Sequence, residues 1–285
     1  MNALISGINS YLGNASLLHL PQENFQVFGI VRDVNFILKK INKPIQAQLF
    51  NFDLINFSDS SSVVNVPNCH IGIYFSHPTE LNDLIVTNYQ IMLLRNFIKI
   101  MRKNNCNRIL YVGRLYDSKY LGLIEKLFKE LQVDFTIILK DIALHAGSII
   151  DDFTHEIRRK KIICLYKPLQ KILVRPILLE DLMRFIRSTD WSNTFINQYV
   201  EFGGDTQMDI AEIIQSIPKS PFDKSKNIII PIASRFFSKL CNSMLSRFDK
   251  DPLKNLIHQI EESKLMNQPS WNKIYNYSHP RLGEF

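Results

Sequence analysis

A short apolar run from Asn2 to Ser6 is followed by Gly7-Ile8-Asn9-Ser10-Tyr11-Leu12-Gly13 and then by a second apolar stretch, Ala15 to Leu20. That order predicts a strand, a tight glycine turn and the start of a helix. At such a turn, backbone N–H groups and the positive end of a helix converge on a phosphate chain. It constrains the chain more than any other segment, because it makes the first strand part of a parallel sheet and sets a dinucleotide pyrophosphate at that strand's carboxyl end. Ser10 stands where the middle glycine of the full fingerprint belongs. Its Cβ and hydroxyl are expected to crowd the pyrophosphate and weaken binding.

The rest of the N-terminal half repeats the alternation that a parallel α/β sheet requires. Strands are expected at Phe25–Val31, Ala47–Phe52, Ile71–Phe75, Arg108–Val112 and Asp134–Leu139. Leu81 to Lys103 has Leu84, Ile85, Ile91, Leu94, Phe97, Ile98 and Met101 at helical spacing, with Arg95, Lys99 and Arg102 left for solvent. Leu121 to Leu131 predicts a shorter helix. After about Gly147 the alternation becomes irregular: Ile172–Ile177 reads as a strand leading into a helix at Glu180–Ile186, and Gln198–Phe202 as a strand before a Gly203-Gly204-Asp205 turn. Further helices are expected at Met208–Ile217, Ala233–Phe248 and Pro252–Leu265, while Asn267–Phe285 shows no clear period. The expected architecture is a Rossmann-like doubly wound parallel sheet over residues 1–150, with a smaller C-terminal α+β lobe over residues 151–285 completing the cleft.

Composition narrows the class. With 285 residues and 46% hydrophobic content the chain can bury a substantial core. The net charge of +7 comes from scattered lysines and arginines mixed with 27 acidic residues, a solvated basic surface and not a nucleic-acid footprint. The run Arg158-Arg159-Lys160-Lys161 has the charge to meet an acidic partner, a membrane surface or nucleic acid, but it passes directly into Ile162-Ile163-Cys164-Leu165, which favours a wet helix end entering a buried strand. Cys69, Cys106, Cys164 and Cys241 are too far apart for a C-x-x-C pair or a disulfide framework, so a reduced, cytoplasmic protein is expected. No apolar stretch is long enough to span a bilayer, and Met1 to Ser6 read as the first strand and not as a removed leader. His70 and His77 flank the fourth strand without the further ligands a metal site needs.

Several motifs, in this order, resemble the atypical and extended short-chain dehydrogenase/reductase superfamily, in particular its nitrogen-metabolite-repressor-like and complex-I-accessory-subunit-like NAD(P)-binding branches. Ser6 to Gly13 fills the eight positions of T-G-A-T-G-x-x-G, with Gly7 and Gly13 on the first and last glycines. Gly29-Ile30-Val31-Arg32-Asp33 is similar to the V-R-D ending of the second strand, Asp53-Leu54 to the D-L that borders the adenine, and Ser76 and His77 to the loop beneath the dinucleotide. Val174 to Leu182 and Tyr199 to Gly204 resemble the late strand-loop-helix and G-G motifs, with Asp181 a helix cap. The resemblance implies a cofactor site at Gly7, Asn9, Ser10, Tyr11, Leu12, Gly13, Arg32, Asp53, Leu54, Ser76 and His77. It also implies NADP in preference to NAD, because a guanidinium at Arg32 can pair with a 2′-phosphate.

The family's usual catalytic pair, Tyr-x-x-x-Lys, is absent: Tyr116 is followed four residues later by Tyr120, and Lys119 comes one residue too early. Ile138-Leu139-Lys140-Asp141 replaces the common L-R-P. Tyr116, Tyr120 and His145 are the remaining candidates for a proton donor, and no metal is expected. Two readings follow. One is an NAD(P)-dependent oxidoreductase, reductase- or epimerase-like, acting on a small carbonyl or related substrate. The other is a non-catalytic NAD(P)-sensing regulatory or scaffold protein with a partner-binding surface.

Overall fold

The computed structural model describes residues 1–57, 66–76, 84–115, 121–144, 162–166, 173–204, 206–216, 228–233 and 273–277. Strand β1 is Asn2–Ser6, and Ala3, Leu4 and Ile5 in it are fully buried, as a strand covered on both faces must be. The chain continues through α1 (Tyr11–His19), β2 (Gln26–Val31), α2 (Val34–Ile41), β3 (Gln48–Asn51), β4 (Ile71–Phe75), α3 (Leu84–Lys103), β5 (Arg108–Arg114), α4 (Leu121–Glu130) and β6 (Asp134–Lys140). The six strands, α3 and α4 match the elements expected from the sequence to within a few residues at each end, and α2 is an element the sequence reading did not single out.

Eight strands form one sheet in the order β14-β11-β6-β5-β4-β1-β2-β3, where β11 is Gln198–Gly204 and β14 is Lys273–Tyr277. The pairs from β3 to β6 are parallel, with Ile5 opposite Gly29, Ser6 opposite Tyr74 and Phe75 opposite Val112. From β1 the chain winds outward through β2 and β3, then returns to the other side of β1 as β4. Strand order therefore reverses between β1 and β4, the place where open α/β sheets leave a crevice at their carboxyl ends.

Helix α3 buries Leu94, Phe97, Ile98 and Met101 against the sheet, as its spacing predicts. Ile85, expected on the same stripe, is 76% exposed. The buried face runs back from Leu94 through Gln90 to Thr87, and at 100° per residue Ile85 falls on the opposite side of the helix. Cys69 and Cys106, which precede the adjacent strands β4 and β5, are both buried and free. Burial, reinforced by the neighbouring Cys106, pushes the Cys69 thiol up to about 12, and burial pushes Cys106 up to about 11.

The chain divides into two compact units. The first comprises Met1–Lys140, Leu179–Glu201 and Ser270–Tyr275, and contains α5 (Leu179–Ser188), which packs on α1 and donates a hydrogen bond from Arg187 Nη1 to the His19 carbonyl at 2.8 Å. Glu180 and Asp181 stand in the first turn of α5, where negative charge suits the helix dipole. In this unit Glu125 on α4 takes an ion pair from Lys129 and a hydrogen bond from the Tyr199 hydroxyl, and both hold its carboxyl below the usual range.

The second unit comprises Asp141–Leu178, Phe202–Pro269 and Asn276–Phe285. Here β7 (Ala143–Leu144) pairs parallel with β10 (Ile177–Leu178), β8 (Ile162–Tyr166) parallel with β13 (Ile228–Ile232), and β9 (Leu173–Val174) antiparallel with β12 (Met208–Asp209). The single strand expected at Ile172–Ile177 is thus two short pieces, β9 and β10, separated by Arg175-Pro176; proline cannot donate to a continuous ladder. Helix α6 (Ile210–Ser216) begins with a reciprocal capping box in which Asp209 and Glu212 each accept the other's backbone N–H. The helices expected at 233–248, apart from Ala233, and at 252–265, and the basic run at 158–161, lie outside the described residues. No described helix is long and apolar enough to cross a membrane.

Candidate functional site

The turn after β1 is fixed by its two glycines and by Ser10. Gly7 has φ of +82°, and a Cβ there would lie 2.2 Å from the Phe75 carbonyl oxygen, so only glycine lets β1 leave the sheet beside β4. A Cβ on Gly13 would lie 2.4 Å from the Gly7 oxygen, which closes the loop against the first turn of α1. Ser10 is 1% exposed and is the N-cap of α1. Its Oγ accepts the Gly13 N–H at 3.0 Å and donates to the Gly7 carbonyl at 2.7 Å. The hydroxyl is therefore turned into the loop and does not crowd the crevice as the sequence suggested; a cap needs just this small hydroxyl.

Beside this turn lies a cavity of about 430 Å³, walled by the carboxyl ends of β1, β2 and β4, the segment after β3 and the start of α3. Gly7, Asn9, Arg32, Asp53 and Leu54 line it, five of the residues expected from the sequence. Arg32 is exposed at the end of β2, one residue before Asp33, whose carboxylate caps α2 by accepting the Phe36 N–H at 2.9 Å. Lys40 reaches back from α2 to donate to the Asn9 carbonyl at 2.9 Å, bringing a second cation to the glycine turn. The Asp53-Leu54 corner is held three times: Asp53 Oδ1 accepts the Ile55 N–H at 3.0 Å, Oδ2 accepts Asn56 Nδ2 at 2.9 Å, and the Leu54 carbonyl accepts Asn96 Nδ2 at 2.8 Å.

Tyr11, Leu12 and Gly13 form the first turn of α1, whose N–H groups precede any intrahelical acceptor. Leu12 and Gly13 are buried, and the ring of Tyr11 lies 5.4 Å from Nζ of Lys140, itself a buried residue at the end of β6. Ser76, just past β4, is buried and its N–H donates to the Val112 carbonyl at 2.9 Å. His77, Tyr116, Tyr120 and His145 lie outside the described residues. Among the described residues no cluster of three His, Cys, Asp or Glu side chains could hold a metal ion.

The structure adds wall residues that the motifs did not single out: Tyr74 on β4 and Val86, Tyr89, Gln90 and Leu93 on α3. Burial pushes the Tyr74 phenol well above its usual range, and the Gln90 amide beside it draws it partly back. Gln90 Nε2 donates to Ser76 Oγ at 3.0 Å. A signal for Gln90 was present in the sequence, since it lies four residues before Leu94 on the apolar stripe of α3 and is polar where that stripe should be greasy.

No family model matches the chain, and no curated protein matches it in sequence. Solved structures do match in fold. UDP-N-acetylglucosamine 4-epimerase from Bacillus cereus superposes with a TM-score of 0.61 at 10% identity, over 94% of this chain and 100% of that one. Triphenylmethane reductase from Citrobacter sp., complexed with NADP(H), gives 0.63 at 14% identity, over 93% and 90%. The pinoresinol-lariciresinol and phenylcoumaran benzylic ether reductases give 0.66 at 13% identity, over 97% and 93%.

Proposed function

We propose that this chain, which has the Rossmann-like fold of the extended short-chain dehydrogenases/reductases, binds a nicotinamide dinucleotide in the crevice beside β1 and is an oxidoreductase of a small carbonyl or related substrate. One observation carries the reading. The glycine turn, the cation after β2 and the Asp53-Leu54 corner, far apart in sequence, line one cavity at the reversal of strand order. The chemistry of the turn supports this group: Gly7 and Gly13 close a turn that a Cβ would obstruct, and α1 begins two residues after Asn9 on the cavity wall, so that the N-terminal end of a helix, which favours an anion, stands beside the place proposed for the pyrophosphate. The structural neighbours include a reductase complexed with NADP(H) and epimerases, which agrees with this ligand class.

When bound, the dinucleotide supplies the hydride chemistry and the chain supplies binding and orientation. Arg32 is the residue assigned to a 2′-phosphate, so NADP is proposed over NAD; the residue is exposed and lines the cavity just after β2, and a guanidinium pairs with a phosphate in a forked geometry. Tyr116, Tyr120 and His145 remain the proposed proton donors.

Calorimetric titration with oxidised and reduced NADP and NAD, followed by a hydride-turnover screen over small carbonyl compounds, tests this function. NADP binding with turnover is expected, and Arg32→Ala should weaken NADP at least tenfold more than NAD. Equal losses for both cofactors would remove Arg32 from the 2′-phosphate. Tight binding with no turnover on any substrate would replace the oxidoreductase by an NAD(P) sensor.

A further inference from the structure

Two side chains converge on the flank of the glycine turn that faces away from Arg32. Tyr11 is the first residue of α1 and is partly exposed; Lys140 is the last residue of β6 and is 1% exposed. The Lys140 Nζ lies over the Tyr11 ring, 5.4 Å from its centroid. Strand order sets where they meet: β4 and β5 stand between β1 and β6, so at about 4.8 Å per strand the two strands are about 14 Å apart. Ring and ammonium therefore meet on the side of β4 and β5, whereas Arg32 and Asp53 follow β2 and β3 on the other side of β1. A dinucleotide with its pyrophosphate at the turn and one nucleoside in the cavity would extend its other half to this flank. Other charges around α1 have partners of their own. On α5, Glu180 lies 3.9 Å from His19, Asp181 pairs with Arg184 at 3.6 Å and Arg187 donates to the His19 carbonyl, while Lys40 donates to the Asn9 carbonyl.

We infer that Tyr11 donates a proton to the substrate oxygen and that Lys140 is its positioning residue. An ammonium over an aromatic face is attracted by the ring, and the attraction grows when the ring carries a phenolate, so the cation favours release of the phenol proton. As a carbonyl carbon accepts a hydride, the C=O π pair moves to oxygen, which takes the hydrogen of the Tyr11 hydroxyl: one O–H bond breaks and another forms. Negative charge passes to the Tyr11 phenolate, which Lys140 stabilises, and a proton from solvent restores the phenol. The hydride and its electron pair come from the reduced dinucleotide, the reductant. Partial exposure gives Tyr11 the access a donor needs, and burial of Lys140 keeps its charge from being screened. This assignment rests on the oxidoreductase reading above and adds Tyr11 to the donors proposed there.

Two measurements on the full chain test it, and the first needs neither cofactor nor substrate. At about pH 9, the phenolate absorbance that Tyr11→Phe removes from the wild type should be about three- to fivefold larger than the amount it removes in a Lys140→Met background, and a Lys140→Arg background should retain it. In turnover of a small carbonyl with reduced NADP, Tyr11→Phe should lower kcat about a hundredfold while changing NADP affinity by no more than about twofold. Lys140→Met should lower kcat about tenfold, and Lys140→Arg should recover most of that loss. Tyr11→Phe keeps the ring that packs on Lys140, so its arm is informative even where a Lys140 variant does not fold. Undiminished turnover in Tyr11→Phe would pass the role to Tyr116, Tyr120 or His145, and a phenolate absorbance indifferent to Lys140 would remove the lysine. Either result overturns the assignment while leaving the dinucleotide site standing. A wild-type chain that binds the dinucleotide without turnover, or does not bind it, would overturn the oxidoreductase reading and Tyr11's role with it.

Discussion

Ser10→Ala removes one hydroxyl from the glycine turn, and the structure states what that hydroxyl does. Oγ accepts the N–H of Gly13 and donates to the Gly7 carbonyl, in a residue 1% exposed. The Gly7 carbonyl keeps a second partner, the Ser10 N–H at 3.1 Å, so the acceptor survives the change. The Gly13 donor loses its cap, which costs about 1–2 kcal/mol. In a chain of 285 residues that corresponds to a fall in Tm of about 2–3 °C, read by differential scanning calorimetry. Ser10→Gly, which keeps the backbone freedom of a cap, should cost less than the alanine. Because the hydroxyl points into the loop, neither variant should bind NADP more tightly than wild type by more than about twofold. A thermally neutral Ser10→Ala, or a large gain in affinity for Ser10→Gly, would show that the serine crowds the ligand and does not cap the helix.

Other substitutions separate backbone constraint from side-chain accommodation. Gly7→Ala should destabilise the chain by about 2–4 kcal/mol in a denaturant melt, because positive φ and a contact with the Phe75 backbone leave no room to yield. Gly72→Ala should cost clearly less, since the Cβ meets only the flexible Met101 side chain. Cys69 and Cys106, with thiols pushed up to about 12 and about 11 by burial, should resist iodoacetamide at pH 8 in the native chain and react fully in denaturant, as scored by peptide mapping. Glu125, held below its usual range by Lys129 and Tyr199, stabilises the fold above the unfolded carboxyl value, and that contribution disappears as pH falls through the lower folded value. Glu125→Gln should therefore lower Tm at pH 7, with the gap from wild type closing below about pH 4.

The strands from β1 to β6 were legible because each is a short apolar run bounded by turn residues, and a strand buried on both faces needs little more to declare itself. The cavity was legible where it is built from backbone turns: Gly7, Arg32, Asp53 and Leu54 sit at strand ends, and strand ends are fixed by the sheet. Side-chain orientation was harder to read. The identity of Ser10 could not say whether its hydroxyl faces the crevice or the helix, because that depends on which loop groups lack partners. Ile85 passed as a stripe residue because one apolar side chain in the first turn fits several helical phases. The β9–β10 break turned on Pro176 inside an apolar run, and β14 lies in a segment with no period at all, since an edge strand draws its order from the neighbour it pairs with.

The central claim is that the crevice beside β1 holds a nicotinamide dinucleotide, and an equilibrium titration of the full chain with NADP, followed by calorimetry, tests it most directly. One molecule bound per chain with micromolar or tighter affinity, lost in Gly13→Val under conditions where that variant stays folded, is the expected result. No heat of binding and no displaceable dinucleotide at millimolar concentration would contradict it.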